Sequence, residues 1–138
     1  MHCFRINELK ITEQALFGEK KSVSDLPWDQ FSPIGVYYAK RVYRTGFPVG
    51  KLFEHSLGLL YVQSVSSMLP ALVLDPKPGE CVLDLCAAPG SKTTLLAERM
   101  KNSGFLVANE ISGDRLKTLA ANCDRMGLRS EERRGGKE

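Results

Sequence analysis

The chain has 138 residues and a formal net charge of +3, enough for one domain or for one small domain joined to part of another. Its 43% hydrophobic and 25% charged residues exclude a disordered chain, and no apolar run approaches the roughly 20 residues that cross a bilayer. The start, Met1-His2-Cys3-Phe4-Arg5, lacks the charged-then-apolar order of a secretory signal, so a cytoplasmic protein without a membrane partner is expected. The mild positive charge permits a nucleic-acid partner without requiring one.

Residues 1 to about 52 mix strand-like pieces with turns. Phe4-Arg5-Ile6-Asn7 alternates apolar and polar, and Ile34 to Val42 does so more loosely. Turn-prone stretches lie at Gly18 to Lys21 and at Ser24-Asp25-Leu26-Pro27. From about residue 57 the pattern becomes α/β. Ser64 to Leu74 reads as a helix with Val65, Met68, Leu69, Leu72 and Val73 on its inner face, and Pro70 is expected to kink or divide it. After the turn Asp75-Pro76-Lys77-Pro78-Gly79 comes a short apolar strand, Cys81 to Leu85. A helix from about Ser91 to Lys101 follows, with Ser91 as its cap and Gly104 as its stop. Phe105 to Ala108 reads as a second strand ending at Asn109-Glu110. A further helix starts at Ser112 or Asp114 and runs to Met126, with Leu116, Leu119, Ala120 and Cys123 inward and Gly127 ending it. Strand–helix–strand–helix with short loops predicts a parallel sheet.

Cys3, Cys81, Cys86 and Cys123 form no Cys-x-x-Cys pair, and His2 and His55 add no ligand spacing, so no metal site is expected and the thiols are read as free. Residues 129–138 are charged or glycine apart from Ser130, just where a third strand would begin. They differ only at Gly135 from Arg-Ser-Glu-Glu-Arg-Arg-Val-Gly-Lys-Glu, one translation of a common sequencing adapter. A solvated tail is the alternative; a non-native tail is the expectation.

The segment Asp84-Leu85-Cys86-Ala87-Ala88-Pro89-Gly90-Ser91-Lys92 joins a strand to a helix through a tight, small-residue loop, a general device for binding nucleotides at a helix N-terminus. A dinucleotide site would require Gly-x-Gly-x-x-Gly, of which only Gly90 is present. A Walker A loop fits poorly too, because Ser91 separates Gly90 from Lys92 and position 85 is Leu. S-adenosylmethionine has no pyrophosphate and asks instead for room beside the strand end and an acid for its ribose. Ala87, Ala88 and Gly90 are read as leaving the room, and Glu110, twenty positions on (110 − 90), as the ribose acid or as a solvated strand-end carboxylate.

The stretch from Asp84 to Thr94 resembles the cofactor motif of the Sun-type (NOL/NOP/Sun) RNA cytosine-5 methyltransferases, its Ala-Ala-Pro-Gly core being far more specific than a lone glycine loop. The likeness extends to Glu54 through Gln63, to Ser66-Ser67-Met68-Leu69-Pro70, and to Asn109-Glu110-Ile111-Ser112 with Arg115, Lys117, Leu119, Asn122, Arg125 and Gly127. Phe4-Arg5-Ile6-Asn7-Glu8-Leu9-Lys10 resembles the end of the family's N-terminal RNA-binding domain, so the likeness covers nearly all of residues 3–128.

That resemblance implies an α/β fold: the N-terminal half of a Rossmann-like class I methyltransferase sheet (residues 53–128), preceded by a small α+β RNA-binding segment (residues 1–52). It implies that Cys86, Ala87, Ala88, Pro89, Gly90, Ser91 and Lys92 line S-adenosylmethionine, that Glu110 holds its ribose and that Arg115 assists. For Lys92 a first-turn helix lysine, and for Arg115 a surface ion pair, are the plain alternatives. Asp84 is read as ordering the loop, and Cys86 as pocket wall rather than nucleophile. The family's reacting cysteines belong to Asp-Ala-Pro-Cys and Thr/Ser-Cys-Ser motifs, which do not occur here. The chain is therefore expected to hold the cofactor without turning over, as part of a monomeric enzyme acting on RNA, ribosomal before transfer RNA. The alternative is an RNA-binding module without catalysis. Tyr37 to Arg44 interleaves aromatic and basic residues, with no acid between Asp29 and Glu54.

Overall fold

The structure, a computed structural model, describes residues 2–17, 32–33 and 42–128. The turns expected at residues 18–21 and 24–27, most of the strand-like stretch 34–42, residues 37–41 of the aromatic–basic run and the tail 129–138 lie outside the described residues.

The first part is an antiparallel sheet with strand order β2-β3-β1-β4, formed by β1 (His2–Ile6), β2 (Ser32–Pro33), β3 (Val42–Thr45) and β4 (Leu60–Val62). Helix α1 (Glu13–Phe17) follows β1, and α2 (Phe53–Ser56) precedes β4. β4 lies beyond residue 52 yet pairs with β1, Phe4 opposite Val62 and Ile6 opposite Leu60. One face of the sheet buries Phe4, Ile6, Tyr43 and Leu60 against Leu16, Val49 and Leu52. The alternation of Phe4 to Asn7 predicted polar side chains in water on the other face. Instead Arg5 and Asn7 are 3% and 0% exposed, because helices from the second part cover that face.

In the second part, α3 (Val65–Leu74) starts at Ser64, whose side chain accepts from the Ser67 N–H. The helix runs unbroken through Pro70, which sits on the exposed side and neither divides it nor ends it. Of its expected inner face Met68 and Leu72 are buried, whereas Leu69 and Val73 are 44% and 75% exposed, so the apolar stripe is narrower than the sequence suggested. Met68, Ala71 and Leu72 pack on Leu95 and Leu96 of α4 (Ser91–Arg99), with Val42 from the first sheet in the same cluster.

β5 (Cys81–Asp84) and β6 (Phe105–Ala108) are parallel, in register from Cys81 opposite Phe105 to Asp84 opposite Ala108, with α4 as the crossover. Val82 and Leu106 face the α3–α4 cluster, while Leu83, Phe105 and Val107 on the other face are exposed. Two expected boundaries shift. Ser91 does not cap α4: the N-cap is Gly90, without a side-chain bond, at φ 102. Nor does Gly104 stop it; the chain turns at Lys101 and Asn102, with φ of 53 and 54, and Gly104 instead abuts the Glu80 backbone, where a Cβ would come within 2.3 Å of a carbonyl oxygen. α5 (Gly113–Met126) keeps its expected span, from the N-cap Ser112 to Gly127, and buries Leu119, Cys123 and Met126. Among the described residues no helix is long and apolar enough to cross a membrane.

Candidate cofactor site

Because β5 and β6 run side by side in one direction, their carboxyl ends emerge on one edge, where open α/β sheets bind ligands. The loop 85–90 leaves β5 there, and Asn109-Glu110 leaves β6. Asp84 orders the loop as expected. One carboxylate oxygen accepts the Thr93 hydroxyl at 2.7 Å, and the other lies 3.4 Å from the Cys86 N–H. Asn109 ties the two strand ends: its N–H donates to the Asp84 carbonyl at 2.8 Å, and its carbonyl accepts from the Ala87 N–H at 3.0 Å. The Gly90 N–H closes the turn onto the Ala87 carbonyl at 2.7 Å.

The small side chains of the loop also have a packing cause. Ala87 and Ala88 are 3% and 6% exposed and pack on Leu119 and Cys123 of α5, so the space they leave is filled from behind by a helix. A Cβ on Gly90 would sit 3.1 Å from Leu119 Cδ1. The side of the loop facing away from α5 carries the exposed Cys86 and Pro89, with Ser91 and Lys92 half-buried in the first turn of α4. Burial pushes the Cys123 thiol up to about 11, which leaves it protonated and inert at neutral pH.

Glu110 is not a solvated strand-end acid. Its side chain is only 4% exposed; one oxygen accepts the Ser112 N–H at 3.0 Å and the other lies 3.2 Å from Arg115 Nη1. Arg115, 60% exposed, also donates through Nη2 to the Ala88 carbonyl at 2.8 Å. It is thus an ion pair and a brace at once, joining the acid after β6 to the loop after β5. Asn122 repeats the device about two helical turns later (122 − 115 = 7), donating to the Pro89 carbonyl at 2.8 Å. The bracing role of Asn122, and those of Thr93 and Thr94, escaped the sequence reading. The helical spacing of Arg115, Leu119 and Asn122 was the signal available for the first.

A family profile described as "16S rRNA methyltransferase RsmB/F" matches residues 71–133. The chain is 44% identical over 127 residues to the tRNA (cytosine(49)-C(5))-methyltransferase of Pyrococcus abyssi, covering 90% of this chain and 39% of that protein. Over these residues the chain is similar to the RsmB/F methyltransferases. It is also 42% identical to the Ribosomal RNA small subunit methyltransferase F of Shewanella amazonensis, over 90% of this chain and 27% of that one. A crystal structure of a methyltransferase homolog protein from Pyrococcus horikoshii superposes with a TM-score of 0.77 at 39% identity, covering 92% of this chain and 41% of the other. The chain therefore spans about two-fifths or less of the length of these relatives. The Rossmann-like α/β reading holds.

Proposed function

We propose that the chain is the S-adenosylmethionine-binding part of an enzyme that methylates carbon 5 of cytosine in RNA, with ribosomal RNA as the first expected substrate and transfer RNA as the second. The observation that carries this is the juxtaposition of the loop 85–90 with the Glu110 carboxylate, bridged by Arg115 at the shared carboxyl edge of β5 and β6. The residues present fit the cofactor. Glu110 spends one contact on Ser112 and one on Arg115, and a carboxylate offers about four acceptor positions, so capacity for two ribose hydroxyls remains. Ile111 beside it is 98% exposed and offers an apolar surface for a purine ring. The loop from Cys86 to Lys92 leads into the N-terminus of α4, whose free N–H groups favour the methionine carboxylate. When bound, the cofactor supplies the methyl group; this chain's residues bind and orient it.

Residues 1–52 are read as the last part of an RNA-binding domain and 53–128 as the first part of the methyltransferase domain, in a soluble cytoplasmic monomer. No catalytic residue is assigned, since neither family cysteine motif is present and Cys86 lies in the cofactor loop. Calorimetry of the chain with S-adenosylhomocysteine tests the reading. Saturable binding that Glu110→Ala abolishes is expected, and a flat titration at millimolar ligand would remove the proposal. Incubation with S-adenosylmethionine and cytosine-containing RNA should yield no 5-methylcytosine; methylation above background would refute the assignment of no catalytic residue.

A further inference from the structure

Tyr61 on β4 lies between two guanidinium groups, Arg5 at 5.0 Å and Arg125 at 5.3 Å from its ring centroid. Each arginine begins a chain of hydrogen bonds that ends on the cofactor loop. Arg5, paired with Glu98 and bonded to Gln63, donates through Nη2 to the Thr94 hydroxyl at 2.8 Å. That hydroxyl has one proton. Since the oxygen accepts from Arg5, its proton is free for the Gly90 carbonyl, 2.7 Å away. Arg125 donates through Nη2 to the Asn122 side-chain oxygen at 3.1 Å, which turns the amide NH2 toward the Pro89 carbonyl at 2.8 Å. Donation from a cation polarises the intermediate group and strengthens its onward bond. The two chains leave one aromatic ring of the N-terminal sheet and finish on consecutive carbonyls, those of Pro89 and Gly90.

We propose that Arg5, Tyr61 and Arg125 are positioning residues for the cofactor loop, acting through Thr94 and Asn122, so that the N-terminal sheet sets the geometry in which the loop meets its ligand. The inference rests on the reading of that loop as a cofactor site. It accounts for the burial of Arg5 where a solvated strand face was expected. The sheet is thereby a component of the binding site although, among the described residues, both chains reach the loop only through Thr94 and Asn122.

The test is S-adenosylhomocysteine affinity in the full chain, measured by calorimetry at low temperature with folding checked by near-ultraviolet circular dichroism. Thr94→Val keeps the shape and removes the relay; it should weaken binding about tenfold, the scale of a typical coupling between sites. Thr94→Ser restores the hydroxyl and should recover the affinity. A residue that only supports the fold would lower the unfolding midpoint without changing the affinity of the folded protein. Asn122→Leu, at a half-buried position, tests the second chain should Thr94→Val fail to fold, and it too should weaken binding. Folded variants that bind as tightly as the unsubstituted chain overturn the inference alone. No binding by the unsubstituted chain overturns the cofactor reading and this inference with it.

Discussion

Gly90→Ala isolates the strain that the loop carries. Gly90 holds φ 102, in the region where a Cβ costs an L-residue about 1–2 kcal/mol. The added methyl would lie 3.1 Å from Leu119 Cδ1, tight enough to push that side chain by a few tenths of an ångström within the Ala87–Ala88–Leu119–Cys123 cluster. Alanine also stiffens the unfolded chain, which returns about 0.4–1 kcal/mol. Strain less that return leaves a loss of up to about 1.6 kcal/mol before the displacement of Leu119 is added, or a midpoint lowered by several degrees for a domain of this size. Gly113→Ala is the internal control. Gly113 is the first residue of α5, with nothing within 4 Å of its Cβ position, so the same substitution there should be neutral or stabilising by up to about 1 kcal/mol. Thermal and urea unfolding of both variants decide it. If Gly90→Ala proves as stable as Gly113→Ala, the loop is not held in the conformation described and the packing of α5 against it is wrong.

Arg115→Met removes the brace between Ala88 and Glu110 and leaves the buried Glu110 carboxylate without its cation; S-adenosylhomocysteine binding should fall about tenfold in calorimetry, and the unfolding midpoint should fall as well. The thiols should sort by exposure: Cys81 and Cys86 react quickly with an aromatic disulfide reagent, whereas buried Cys123, pushed up to about 11, reacts only on unfolding, and fast labelling of Cys123 in the native chain would count against its packing. Burial, and then Arg125, lower the His55 pKa below its ordinary 6.5. The unfolded chain therefore binds the proton first, so this stability is complete above 6.5 and lost as pH falls through the folded value. The unfolding midpoint should drop as pH is lowered from about 7 to about 5, and His55→Gln should flatten that slope.

The loop, its two strands and the helices after them were legible because their signals are local. A small-residue run between an apolar strand and a helix start needs no distant partner to be recognised, and Leu116, Leu119 and Cys123 repeat at helical spacing within one segment. What the sequence hid is long-range. Arg5 looks like a solvated residue of an alternating strand because nothing within β1 reveals that Thr94, 89 positions away, will cover that face. Asn7 is hidden likewise: its side chain donates to the carbonyls of Gly58 and Met126, tying the first sheet to the end of α5. Ser91 resembles a cap in composition, yet the loop needs a positive φ at the position before it, and that geometry gives the cap to Gly90. Pro70 removes one N–H from α3, yet the helix continues through it with Met68, Ala71 and Leu72 buried on either side of it in sequence.

One face of α5 orders the loop that we propose as the binding surface. Arg115 takes the Ala88 carbonyl, Asn122 takes the Pro89 carbonyl, and Leu119 lies against Gly90, so three consecutive loop residues are fixed from behind by three residues of one helical face. Fixing a backbone residue costs roughly 1–2 kcal/mol of conformational entropy, and a loop already ordered before the ligand arrives escapes that cost on binding. Small side chains are then required on the helix side for packing, while backbone and the half-buried start of α4 are left toward the ligand. The Ala-Ala-Pro-Gly run is therefore doubly determined: bulk at Ala87 or Ala88 would displace α5, and with it the arginine that aims Glu110. Substitutions on the buried face of α5 should accordingly weaken the ligand without touching it.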